Sequence, residues 1–115
     1  MKRVREIEIA LRDSILVSLS IEYEYYSELL KQGNSVNMKF IRFDEEIIEF
    51  QLLNVLEADF CDDYSGVCVS HIKALSQNDR ITLSLDPYDE RVDAIEQKDN
   101  FVFTVKQYYI NVSQV

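Results

Sequence analysis

A chain of 115 residues, 47% hydrophobic and 29% charged, has the makeup of one folded domain spanning 1–115 and excludes a disordered, collagen-like or low-complexity polymer. Its 21 acidic against 12 basic residues leave a net charge of −9, a field that repels phosphate backbones and argues against a nucleic-acid partner. Two glycines and one histidine exclude a glycine-rich phosphate loop, a dinucleotide fingerprint and a two-histidine metal site.

The start, MKRVREIEIALRDSILV, has a basic head, but Glu6, Glu8, Arg12 and Asp13 interrupt any signal-peptide core. No apolar run approaches the length of a membrane span. With two cysteines, too few for a secreted disulfide scaffold, a reducing cytoplasmic setting is expected. Ile7, Ile9 and Leu11 alternate with polar residues, and Arg12-Asp13 offers a reversal, so the N-terminus reads as the first arm of a hairpin. The second arm is the clearest signal in the chain. Ile15, Val17, Leu19, Ile21, Tyr23 and Tyr25 form one face of a strand, with Ser18, Ser20, Glu22 and Glu24 among the residues on the other. The competing reading is one long helix over 3–32, since Ile7, Leu11, Ile15 and Leu19 also recur every fourth residue.

Strong helix formers over Ser27–Gln32, closed by Gly33, predict a short helix near 26–33. Val36, Met38 and Phe40 alternate again as a third strand. Residues 44–60 open like a capped helix, so a helix over 44–57 is the alternative there. As a helix, however, their apolar residues would point in nearly every direction. As a strand, Ile48, Phe50, Leu52, Leu56, Ala58 and Phe60 share a face broken only by Asn54. Further strands are expected over 67–73, 81–85, 91–97 and 101–105, with Ser76–Asp79, Asp86–Asp89 and Lys98–Asn100 as reversals in which Asn and Asp replace glycine. The fold class expected is mainly β: an antiparallel meander forming a sandwich or partly open barrel with one short helix. The alternative is α+β with helices at 3–32 or 44–57.

Asp59, Cys61, Asp62, Asp63, Cys68 and His71 are the densest gathering of metal-ligand types. Taking 58–61 and 67–72 as hairpin arms sets Phe60 opposite Val69, Ala58 opposite His71 and Cys61 opposite Cys68. His71 then lies on the core side, away from the thiols, and no metal or other cofactor is expected. Tyrosines beside acids form three candidate partner-binding clusters: Glu22, Glu24 and Tyr26; Asp62, Asp63 and Tyr64; Tyr88, Asp89 and Glu90. Aromatic area ringed by carboxylates suits a basic protein surface. The function expected is therefore that of a small acidic, non-enzymatic binding protein, such as an immunity protein or another stoichiometric inhibitor. The alternatives are a small-ligand or carboxylate-based enzyme barrel using Asp59 or Glu49, and a subunit of a larger assembly whose edge strand pairs with a neighbour.

Overall fold

The computed structural model describes residues 2–23, 34–43, 45–60 and 66–114. They form one helix, α1 (Arg5–Leu11), and eight strands: β1 (Lys2–Arg3), β2 (Ser14–Glu22), β3 (Ser35–Ile41), β4 (Glu46–Asp59), β5 (Cys68–Val69), β6 (Lys73–Gln77), β7 (Arg80–Asp86) and β8 (Asn100–Gln114). All eight belong to one antiparallel sheet of order β1-β6-β7-β8-β4-β3-β2-β5, which does not close. The fold is mainly β, as the alternating patterns predict. Residues 46–57 lie within β4, so the strand rather than the helix holds there.

Connectivity forces the sheet to curl. Residues 70–72 join β5, at one end of the strand order, to β6, next to the other end. Four peptide steps from Val69 to Lys73 reach at most about 14 Å, so the two ends must face each other across a narrow seam. Helix α1 spans the same seam, running from β1 beside β6 to β2 beside β5. Inside the curl lie Ile7, Leu11, Phe40, Ile48, Phe50, Leu52, Val69, Ile72, Leu83, Phe101, Phe103 and Val105, all fully or almost fully buried.

The two long strands carry the bend. Glu46–Leu53 of β4 pairs with Gln107–Gln114 of β8, and Glu57–Asp59 pairs with Val102–Thr104, with a register shift between Val55 and Glu57. Asn54 takes a left-handed φ of 53° at this corner, a conformation Asn tolerates better than most residues. Inward parity changes there on both strands. On β8, Phe101, Phe103 and Val105 are buried, but Tyr108 and Ile110 are the ones packed on the core further along. The continuous even-numbered face expected for 48–60 is corrected accordingly. Leu56 is 42% exposed, and Val55 packs inward.

Four other expectations are corrected. The N-terminal hairpin is absent, because residues 5–11 are helical. The long-helix alternative holds only for that stretch, since β2 begins at Ser14. A strand would have put Ile7, Ile9 and Leu11 on one face, whereas the helix buries Ile7 and Leu11 one turn apart and leaves Ile9 68% exposed. What periodicity did not weigh is Glu8, whose burial is compensated by Arg3, Arg5 and the Ala74 amide. The helix is capped by Arg12, Asp13 then takes a left-handed φ of 62°, and Ser14 Oγ donates to the Leu11 carbonyl at 2.6 Å.

The expected odd face of β2 slips at a bulge between Leu16 and Ser18. Leu16 is buried, Val17 is 48% exposed, and Tyr23, expected inward, is 78% exposed. Residues 91–97 are not a strand but part of an irregular connection over 87–99. The hairpin of 58–61 with 67–72 does not form either. Val69 pairs with Ser14, Cys68 with Ile15, and Ala58 with Phe103. His71 accordingly leaves the core side, its side chain 65% exposed. Cys61 and the helix expected near 26–33 lie outside the described residues. The Ser76–Asp79 reversal stands, turning on Asn78 at φ 56°.

Candidate functional site

The acidic residues divide into two sets, one spent on the fold and one left facing solvent. The first set holds the 87–99 connection, whose backbone has no ladder to satisfy it. Arg3 donates to Asp93 Oδ1 and Glu8 Oε2, both at 2.7 Å, and to the carbonyls of Glu90 and Val92. Lys73, fully buried on β6, directs its ammonium to the Ala94 carbonyl at 2.9 Å, Glu96 Oε1 at 3.1 Å and Asp99 Oδ2 at 2.9 Å. Asp99 also accepts from the amides of Tyr88 and Glu96. Burial opposes its ionisation, but these amides and Lys73 prevail and hold its pKa below the ordinary carboxylate range.

Glu90 closes the seam. Its carboxylate accepts from Arg12 Nη1 at 2.8 Å and the Ile72 amide at 3.2 Å, and lies 3.1 Å from His71 Nδ1. Desolvation would raise its pKa, yet the bonds from His71, Arg12 and Ile72 outweigh it and lower the value to about 2. The candidate trio Tyr88, Asp89 and Glu90 is thus a structural element more than a free patch. Glu90 is engaged internally, and Asp89 is bound by Arg91 at 3.0 and 3.1 Å. Tyr88, 65% exposed, carries Lys98 Nζ 4.8 Å above its ring.

The second set includes Asp13, Glu45, Glu49 and Asp79 at scattered positions, and Glu22, Glu57 and Asp59 in or beside a groove of about 180 Å³ where β2 and the far half of β4 end. Its floor and walls include Ile21, Val36, Val55, Leu56, Ala58 and Phe60, with Tyr23 at its mouth. Phe60 is fixed from below by Phe101 and Phe103, with ring centroids 6.0 and 5.7 Å away. Glu57 is the acid in the groove's lining, while Glu22 and Asp59 adjoin lining residues in sequence, between Ile21 and Tyr23 and between Ala58 and Phe60; all three are exposed and without an ion pair among the described residues. Glu22 lies roughly 25 Å along β2 from the Ser14 end, where β5 pairs. The predicted clusters therefore do not merge with Tyr88–Glu90 through β2. Glu24, Tyr26, Asp62, Asp63 and Tyr64 lie outside the described residues, although Glu24 directly follows Tyr23 in sequence and Asp62 lies two residues after Phe60.

Two residues matter that the sequence reading passed over. Lys73 interrupts the apolar run Ile72-Ala74-Leu75, and a charge inside such a run is a legible sign of buried pairing. Glu57 had no such mark, because its exposure depends on the bulge. Glu49 and Asp59, the catalytic alternatives, lie opposite Asn111 and Val102, on the two sides of the Asn54 corner. Among the described residues no group of three or more His, Cys, Asp or Glu is placed to hold a metal ion, and no helix is long and apolar enough to cross a membrane. A scan against family models, a search of curated proteins and a search of solved structures each return no match to this chain.

Proposed function

We propose that this chain is a small acidic binding protein that seats a basic protein surface on the Glu22–Glu57–Asp59 groove, as an immunity protein or another stoichiometric inhibitor would. The observation that carries this reading is a partly apolar groove with the exposed carboxylate of Glu57 in its lining and those of Glu22 and Asp59 beside it in sequence, none of them in an ion pair with a described cation. Tyr23 offers a ring held by few rotamers, and Ile21, Val55, Leu56 and Phe60 offer an apolar seat. The carboxylates select Arg and Lys around that seat. A net charge of −9 speeds encounter with such a partner and repels acidic competitors.

Capture from the native extract on immobilised protein at low and high salt tests the reading. A basic partner held at low salt, released at high salt and not held by the Glu57→Lys, Asp59→Lys variant supports it. A partner that the variant still holds contradicts it.

A further inference from the structure

Two concavities meet on β4. Leu56 and Glu57 line the small groove described above and also a larger one, of about 780 Å³, on the outer face of β6, β7 and β8. Strand alternation builds the larger groove. Leu83, Phe103 and Val105 point into the core, so Arg80, Thr82, Thr104 and Lys106 point out. Thr82 and Thr104 are register partners whose hydroxyls lie 3.3 Å apart, and Thr104 is in turn opposite Glu57. Arg80 and Lys106 lie one residue beyond Ile81↔Val105, at the same end of that pair. Crossing the groove from β4 to the turn between β6 and β7 therefore meets Glu57, Lys106, Arg80 and then Asp79. All four are exposed, and none is in an ion pair among the described residues.

Arg80 and Lys106 depart from the pattern of the other cations. Arg3, Arg5, Arg12, Arg42, Lys73 and Arg91 are each bound to a carboxylate. Arg80 and Lys106 instead border a groove whose acids attract bases, and they repel bases themselves. A uniformly basic surface laid over both grooves brings cation against cation. We infer that the partner carries an acidic side chain set among its bases, and that Arg80 and Lys106 seat this acid. The inference rests on the reading above, in which Glu22, Glu57 and Asp59 take the partner's bases. Charge complementarity and the shared Leu56–Glu57 boundary select this occupant. Arg80 offers a carboxylate a planar fork, Lys106 offers a point charge, and the Thr82 and Thr104 hydroxyls are donors beside them. Leu56, exposed between the two grooves, gives the same partner an apolar contact.

Two probes test this: the partner purified by the capture described above, and poly-L-lysine, which is basic throughout. Arg80→Gln, Lys106→Gln removes two positive charges and makes the chain more acidic, so diffuse attraction alone tightens both probes. The inference predicts opposite movements. Poly-L-lysine binds more tightly, and the partner binds at least about tenfold more weakly. The variant's thermal midpoint stays within about 3 °C of wild type, because both side chains are exposed and unpaired. Lys39→Gln, Lys98→Gln removes the same charge outside both grooves and is expected not to weaken the partner. A partner held as tightly by the Arg80→Gln, Lys106→Gln variant as by wild type, or more tightly, overturns the inference. So does poly-L-lysine that fails to tighten, or a partner that both variants weaken alike. A partner still held by the Glu57→Lys, Asp59→Lys variant, or no captured partner, overturns the underlying reading, and the inference falls with it.

Discussion

Lys73 shows how much of the fold hangs on single buried charges. Its ammonium is fully enclosed and serves three oxygens, while the side chain of Asp99 is equally enclosed. Replacing Lys73 with Met preserves much of the volume but strands the Asp99 carboxylate. The expected loss is about 3 kcal/mol, since breaking a buried pair leaves an uncompensated charge, and urea unfolding measures it. A second exchange to Asn at position 99 in that background removes the stranded charge and should recover part of the loss. Glu90 makes the matching pH prediction. Its folded pKa of about 2 lies below the ordinary 4.5, so the native state resists its protonation. The stability it contributes is present above about pH 4.5 and is lost as pH falls toward 2. Urea midpoints at pH 7 and pH 3 should therefore fall less for Glu90→Gln than for wild type. The acidity of residues 88–90 was plain in the sequence. Their use was not, because Arg12, His71 and Ile72 reach Glu90 across a seam that no local pattern encodes.

At the scale of elements, the strands with a strict period of two were legible wherever both neighbours were regular, as in β3 and β7. Errors fell where a left-handed residue or a bulge resets the parity. Asn54 is the instructive case. Sequence marked it as a flaw in one long apolar face, whereas its φ of 53° turns that face over and lets β4 and β8 serve both halves of the curl. A β-branched residue resists that conformation at a cost of roughly 1–2 kcal/mol, and glycine does not. Asn54→Val is expected to destabilise by about that amount and Asn54→Gly to stay close to wild type, read by thermal unfolding. Helix α1 was misread for a related reason. Ile7, Ile9 and Leu11 fit a strand locally, and only the wrapping of Glu8 by Arg3, Arg5 and the Ala74 amide decides for the helix. Those contacts exist only after β6 has come round to meet the N-terminus.

For the whole molecule, the sheet curls because three residues join strands from its opposite ends, and the seam so formed gathers the paired charges. Three of the acids left over from that task, Glu22, Glu57 and Asp59, lie elsewhere, in or beside a partly apolar groove. Of the candidate site, Glu22 was legible in the sequence as an exposed acid beside tyrosines. Glu57 and Asp59 lie on the part of β4 that runs past its last register pair with β3, Val36 with Leu52, a length no local pattern encodes. Binding driven by these exposed charges should weaken with salt, since screening acts within about 10 Å at 0.1 M. The most direct test is the affinity of the captured partner for wild type and for the Glu22→Gln, Glu57→Gln, Asp59→Asn variant, measured at low salt alongside each protein's thermal midpoint. The division of acids into folding and binding sets predicts that the variant loses partner affinity by at least about tenfold, while its midpoint stays within about 3 °C of wild type. Undiminished affinity, absence of any salt-sensitive partner, or a collapse of the midpoint would contradict it.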